Sequence, residues 1–167
     1  DLLNEELLKA HIHSIWLAEI GEALPSSVGG LVTIDDDPQR GQMELPLKPE
    51  FRRKLSDGGA KERTLKKARS MLSPYEAKLS EQPWYRSDWL EHVVQAAPLE
   101  FNKALDRWRE LYRGAKRQRE FQHSIQGDQS RPKQQRDRAK ALRRQAESQI
   151  ELLTQQRSFM EGDFYTY

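Results

Sequence analysis

His11 and His13 are the first residues in this chain that could do chemistry, two positions apart in a stretch that reads as helix. Two residues on a helix lie about 200° apart around the axis, so they cannot close on one metal as an i,i+4 pair would. The spacing predicts one histidine facing a core and the other solvent. Asp35-Asp36-Asp37 has the acidity of a calcium loop. Its acids are contiguous and Pro38 follows, where such a loop needs alternating oxygens, a central glycine and a terminal glutamate. It reads as a solvated turn. Gly29-Gly30 lacks the Gly-Lys-Ser/Thr that completes a phosphate-cradling loop. No Gly-x-Ser-x-Gly elbow occurs, and no carboxylate pair stands in an apolar setting that would separate two pKa values. No catalytic residue and no metal ligand can therefore be assigned. Trp84, Tyr85, Trp89 and Trp108 could stack bases. At their spacings, packing in a core or between helices is the stronger reading.

The remaining chemistry is electrostatic. The chain has 28 Lys/Arg and 26 Asp/Glu, a net charge of only +2, but the charge is segregated. From Arg113 to Arg144 eleven cations face three acids, Glu120, Asp128 and Asp137. From Lys48 to Arg69 nine face three, which leaves the rest of the chain acidic, with eight cations against twenty acids. Such segregation creates a local field that net charge hides. Arg113, Lys116, Arg117, Arg131, Lys133, Arg136, Lys140, Arg143 and Arg144 are the candidate nucleic-acid contacts, with Arg119 and Arg138 beside them. Cations at this density neutralise phosphates and release counterions, giving sequence-independent, salt-sensitive binding. Only Phe121 interleaves the arginines, so nothing points to base readout. Docking on an acidic protein surface and a simply solvated arm are the alternatives.

The elements that must carry these residues are helices. Charged residues make up 32% and hydrophobic ones 36% of the chain, and mean hydropathy is −0.93. That is polar for one compact domain, yet the polar stretches keep a helical apolar period. Asn4 caps a first helix over 5–20, with Leu8, Ile12, Ile15 and Trp16 on one face. Residues 21–49 form an irregular connector, with room for one edge strand at Leu31-Val32-Thr33-Ile34, pinned to a core by Leu45 and Leu47. Pro49 opens a short helix to about 56, which Gly58-Gly59 closes. A basic helix follows over 60–72, and Ser73-Pro74 restarts helix to about 79. Pro83-Trp84-Tyr85 is an aromatic turn, and Ser87 caps the next helix. Pro98 breaks or kinks that helix and begins a long one to about 125. Phe101, Leu105, Trp108, Tyr112 and Ala115 step by four and three, the spacing of a helix–helix contact line. Ser130 caps a second long helix over 131–160, lined by Ala139, Leu142, Ala146, Ile150, Leu153 and Met160. Two such helices joined by a short polar turn make an antiparallel hairpin, each arm roughly 40 Å long.

The predicted fold class is thus all-α. Short helices form a base over 1–97, a basic hairpin spans 98–161, and 162–167 leads into a following domain. The hairpin should be packed near its base and exposed and mobile at its tip. There is no cysteine, which excludes disulfides and thiolate metal sites. No apolar run is long enough to span a bilayer and no signal peptide opens the chain, so a cytoplasmic location is expected. The start at Asp1 and the end at Tyr167 both look cut from a longer polypeptide.

Three stretches carry a family resemblance. Asp1-Leu2-Leu3-Asn4-Glu5-Glu6-Leu7, running into Ala10-His11-Ile12-His13-Ser14-Ile15-Trp16-Leu17-Ala18-Glu19, resembles the segment after the second motor lobe of large superfamily 2 DNA helicases. The nearest group is the DISARM antiphage-defence helicase and related DNA-repair helicases. Leu45-Pro46-Leu47-Lys48-Pro49-Glu50 is similar to a step in those proteins, and Phe159 to Tyr167 resembles the lead-in to their next block. The resemblance implies a bacterial parent that hydrolyses ATP with magnesium, remodels DNA in antiviral defence and assembles with a second complex subunit. The motor lobes would lie in the same polypeptide. The family's nucleotide motifs lie outside these residues, so no catalytic residue carries over.

Overall fold

The structure is a computed structural model, and it describes residues 4–21, 25, 27–34 and 44–155. Among them the fold is all-α. Helix α1 spans Glu5–Ile20, and Asn4 Oδ1 accepts from the backbone of Glu6 and Leu7 at 2.9 and 3.2 Å. Glu5 and Glu6 occupy its first turn, where the helix dipole favours acids. The described residues of the connector are irregular. Val28–Gly30 makes a single 3-10 turn, and Val32 and Leu47 form one isolated antiparallel bridge instead of an edge strand. Leu45 and Leu47 are buried, as their types require.

Helices α2 (Pro49–Leu55) and α3 (Gly58–Leu72) follow. Gly58-Gly59 does not close α2. The two glycines open α3, because Asp57 Oδ1 accepts from Gly59 N at 3.0 Å and acts as the N-cap. A 3-10 turn over Ser73–Tyr75 leads to the one-turn α4 (Glu76–Leu79). Helix α5 spans Trp89–Ala104, and its N-cap position is Asp88, not Ser87. Pro98 neither ends α5 nor starts a new helix. The buried face Leu90, Val93, Val94, Ala97, Phe101 and Ala104 runs straight past it, and that burial outweighs the loss of one backbone bond. The break comes seven residues later, at Leu105, and α6 spans Asp106–Gln126. Helix α7 spans Lys133–Gln155. Ser130 does not cap it, since its N–H and hydroxyl both donate to Asp128 Oδ1, at 3.0 and 2.6 Å. Met160 and the final stretch 159–167 lie outside the described residues, as do Asp1-Leu2-Leu3 and Asp35-Asp36-Asp37.

Helices α6 and α7 pack against each other as the antiparallel hairpin. At about 1.5 Å per residue its arms are roughly 32 and 35 Å long. Two apolar clusters hold the molecule. One joins Trp16 and Ile20 of α1, the connector's Val28, Leu31, Val32, Leu45 and Leu47, Phe101 of α5, Trp108 and Tyr112 of α6, and Leu153 of α7. The other joins Leu8 and Ile12 of α1, Ala68 and Leu72 of α3, Leu79, and Trp89, Leu90, Val93 and Val94 of α5. Helices α1 and α5 therefore serve both clusters with different halves of their length.

Candidate nucleic-acid interface

Three cations of the second basic run, Arg63, Lys67 and Arg69, are paired within the fold. Arg63 Nε lies 2.8 Å from Glu19 Oε2, Lys67 meets the other oxygen of the same carboxylate, and Arg69 pairs with Glu91. Those contacts tie α3 to α1 and α5. The Lys67 and Arg63 hydrogen bonds hold the Glu19 carboxyl below its ordinary range, and Arg69 does the same for Glu91.

The hairpin cations are placed differently. On α7, Lys133, Arg136, Lys140, Arg143 and Arg144 fall within an arc of about 100°, beside the line Ala139, Ala146 and Leu153 that faces α6. On α6, Lys116 and His123 stand seven residues apart beside its own contact line, Trp108, Tyr112, Ala115 and Gln122. Arg143 Nη1 lies 3.2 Å from His123 Nδ1, so these two flanks are the same side of the hairpin. A guanidinium only donates, which makes Nδ1 the acceptor and leaves the ring proton on Nε2. Lys133, Lys140 and Arg144 are exposed; Arg136 and Arg143 are half-buried at the edge of the contact line. Arg136 Nη1 donates to Gln129 Oε1 at 3.3 Å, and Arg143 Nε is 3.5 Å from Glu147. Lys116 Nζ sits over the Tyr112 ring, 5.5 Å from its centroid.

Three of the nine expected contacts stand apart from this flank. Arg117 is about 180° around α6 from Trp108, on the face away from α7. Arg113 is engaged at the base, by Glu110 at 3.4 Å and the Glu44 carbonyl at 3.1 Å. Arg131 is in the turn, 3.3 Å from Asp128.

Sequence reasoning missed Arg109. It is 6% exposed, and its guanidinium spans the break between α5 and α6. Nε donates to the Leu45 carbonyl at 2.9 Å, Nη1 to the Asn102 carbonyl and Asp106 Oδ1, both at 2.8 Å, and Nη2 to Asn102 Oδ1 at 2.6 Å. The guanidinium thus takes up a carbonyl at the helix break. Leu45 has φ 50, a left-handed backbone uncommon for leucine, and its carbonyl is the one that Arg109 holds. The available signal was a cation at helical spacing within the line Leu105, Trp108 and Tyr112.

The other candidates are structural. His13 is buried at 3% exposure and His11 is exposed. Trp84, Tyr85 and Trp89 form one cluster with centroids 5.1 to 5.8 Å apart, while Trp108 stacks on Tyr112 at 5.1 Å in the other core. Trp89 Nε1 donates to Glu5 at 3.1 Å and Tyr85 Oη to Glu76 at 2.9 Å. Burial, then the Glu76 carboxylate, pushes the Tyr85 phenol up to about 12. Clefts of about 570 and 470 Å³ border this aromatic wall. Of the carboxylates lining them, Glu76, Glu91 and Glu5 are engaged by Tyr85, Arg69 and Trp89, and Glu6, Asp88 and Glu100 also line the smaller cleft.

The resemblance assigns the nucleotide and magnesium to the parent's motor lobes rather than to the described residues. No group of three or more His, Asp or Glu among them could hold a metal. Gly29 is a packing glycine: a Cβ there would lie 2.6 Å from the Thr154 carbonyl oxygen of α7. No helix among the described residues is long and apolar enough to cross a membrane. No family model, no curated protein and no solved structure matches the chain.

Proposed function

We propose that this chain is a non-catalytic accessory module of an ATP-dependent DNA helicase or translocase, acting in the cytoplasm in antiphage defence. The base packs on the motor lobes of the same polypeptide, and the hairpin holds the DNA backbone while ATP-driven motion occurs elsewhere. The observation that carries this reading is the gathering of Lys116, Lys133, Arg136, Lys140, Arg143 and Arg144 on one flank of the hairpin. The resemblance of the segments around His11-Ile12-His13 and Leu45-Pro46-Leu47 to superfamily 2 helicases supplies the parent.

The second reading is docking on a protein, such as a further subunit of a defence complex. It is favoured by Phe121, Leu99 and Leu152, which are apolar and 57 to 65% exposed. Fluorescence anisotropy with labelled DNA across a salt series separates the two. Backbone holding predicts affinity that falls steeply with salt for any sequence. Reversing Lys140 and Arg144 to Glu should make the log–log salt slope shallower by about 2. Absence of binding at low salt, with the helices intact by circular dichroism, transfers the hairpin to the docking reading.

A further inference from the structure

Resting on the DNA-holding reading, we infer that the basic flank takes double-stranded rather than single-stranded DNA. A protein that holds single strands needs a stacking platform as well as a cationic groove. Among the described residues the flank has no such platform. Trp108 and Tyr112 are buried and stacked on each other. Phe121 is exposed, but it stands two residues from His123 and so about 160° around α6 from the flank. What the flank offers is a straight row of cations on a helix supported along its length by a partner helix. From Lys133 to Arg144 the row is roughly 16 Å long, about five base pairs of duplex at 3.4 Å each. A duplex is stiff over that distance, so a straight row meets it without ordering a flexible chain. The hairpin is too broad to enter a major groove about 12 Å wide, because each helix with its side chains is about 10 Å across. It lies along the backbone and reads no bases.

The test uses the whole chain and fluorescein-labelled DNA, as a 20-base-pair duplex and as each of its strands. Duplex should bind about tenfold or more tighter than either strand at low salt, with a log–log slope near −4 to −5 from the five α7 cations. Lys140→Glu with Arg144→Glu should remove that preference, and Phe121→Ala should leave it intact. Equal or tighter binding of single strands, or loss of binding in Phe121→Ala, overturns the duplex assignment and leaves the DNA-holding reading standing. No binding of either form overturns both. Circular dichroism of each variant confirms that the hairpin is folded.

Discussion

Arg109 is a buried cation whose donors are spent on backbone and side-chain oxygens rather than on a single counter-ion. Removing it would strand the Leu45 carbonyl, whereas the Asn102 carbonyl would keep the Leu105 N–H. Arg109→Ala should cost about 3 kcal/mol in urea unfolding, the scale for breaking a buried, multiply bonded charge. Its carboxylate partner Asp106 is 67% exposed, and Asp106→Asn should cost under about 1 kcal/mol by the same measurement. The contrast separates a hydrogen-bonded joint from a simple ion pair. Leu45 is the other half of the joint. Its left-handed backbone costs about 1–2 kcal/mol, while its buried side chain contributes about 2–5 kcal/mol, so burial wins and the strained turn persists. The burial of Leu45 was legible in the sequence; its left-handed backbone and the structural role of Arg109 were not. Arg109 sits in a run of cations and reads as one more of them; only the position of the helix break shows that it is structural.

At the scale of elements, the helices were legible because their signals are local. Asn4 before two glutamates, Pro49 at a first turn and the four-three steps of α6 need no tertiary information. The misplaced boundaries each involve a local signal overridden by a contact. Pro98 loses to the continuous buried face of α5, Gly58-Gly59 to the Asp57 cap, and Ser130 to Asp128. Which cations share a flank was legible only once the helices were paired, because rotation about α6 decides that Lys116 joins α7 and Arg117 does not. The hairpin itself has two halves. Near the base, Trp108, Tyr112, Ala115, Ala146 and Leu153 make an apolar contact line. Toward the turn, Gln122 is buried, and Gln126 Oε1 and Arg136 Nε are buried without hydrogen-bond partners. Replacing Gln126 and Arg136 together with Leu should raise the thermal midpoint, by a stabilisation of about 1 kcal/mol, since removing both polar groups relieves two desolvation costs. Hydrogen exchange should run faster in the distal turns than near Trp108 in the unmodified chain, and the double variant should narrow that difference. At the hairpin base, Gly29→Ala should destabilise by about 1–3 kcal/mol, because the new methyl meets a backbone carbonyl that cannot rotate away. Chemical denaturation followed by tryptophan fluorescence would show it.

Over the whole molecule, charge is used in two ways. On α3, Arg63, Lys67 and Arg69 are paired with acids from α1 and α5, and most of the expected hairpin cations are gathered on one flank. Composition could find both runs but could not say which was which, because the answer depends on the neighbours that packing supplies. The pairing on α3 has a pH signature. Glu19 and Glu91 have carboxyls depressed below the ordinary value of 4.5, so the stability they add is present above that pH and is lost as pH falls through their folded values. The stability difference between the unmodified chain and Glu19→Gln should therefore be constant near neutrality and close below about pH 4.5. Urea midpoints measured from pH 7 to pH 3 would follow it.

Trp108 Nε1 donates to the carbonyl of Leu153 at 2.8 Å, across 45 residues of chain. During synthesis the indole is made long before the atom that receives its proton. At about 5–20 residues per second the wait is roughly 2 to 9 seconds, whereas a helix forms within about a microsecond. Through that interval Trp108 and Tyr112 can pack with the earlier-made residues of their cluster but lack Leu153 of α7. The side of that cluster that α7 covers then stays open for a time set by the pace of translation through the turn and the returning arm.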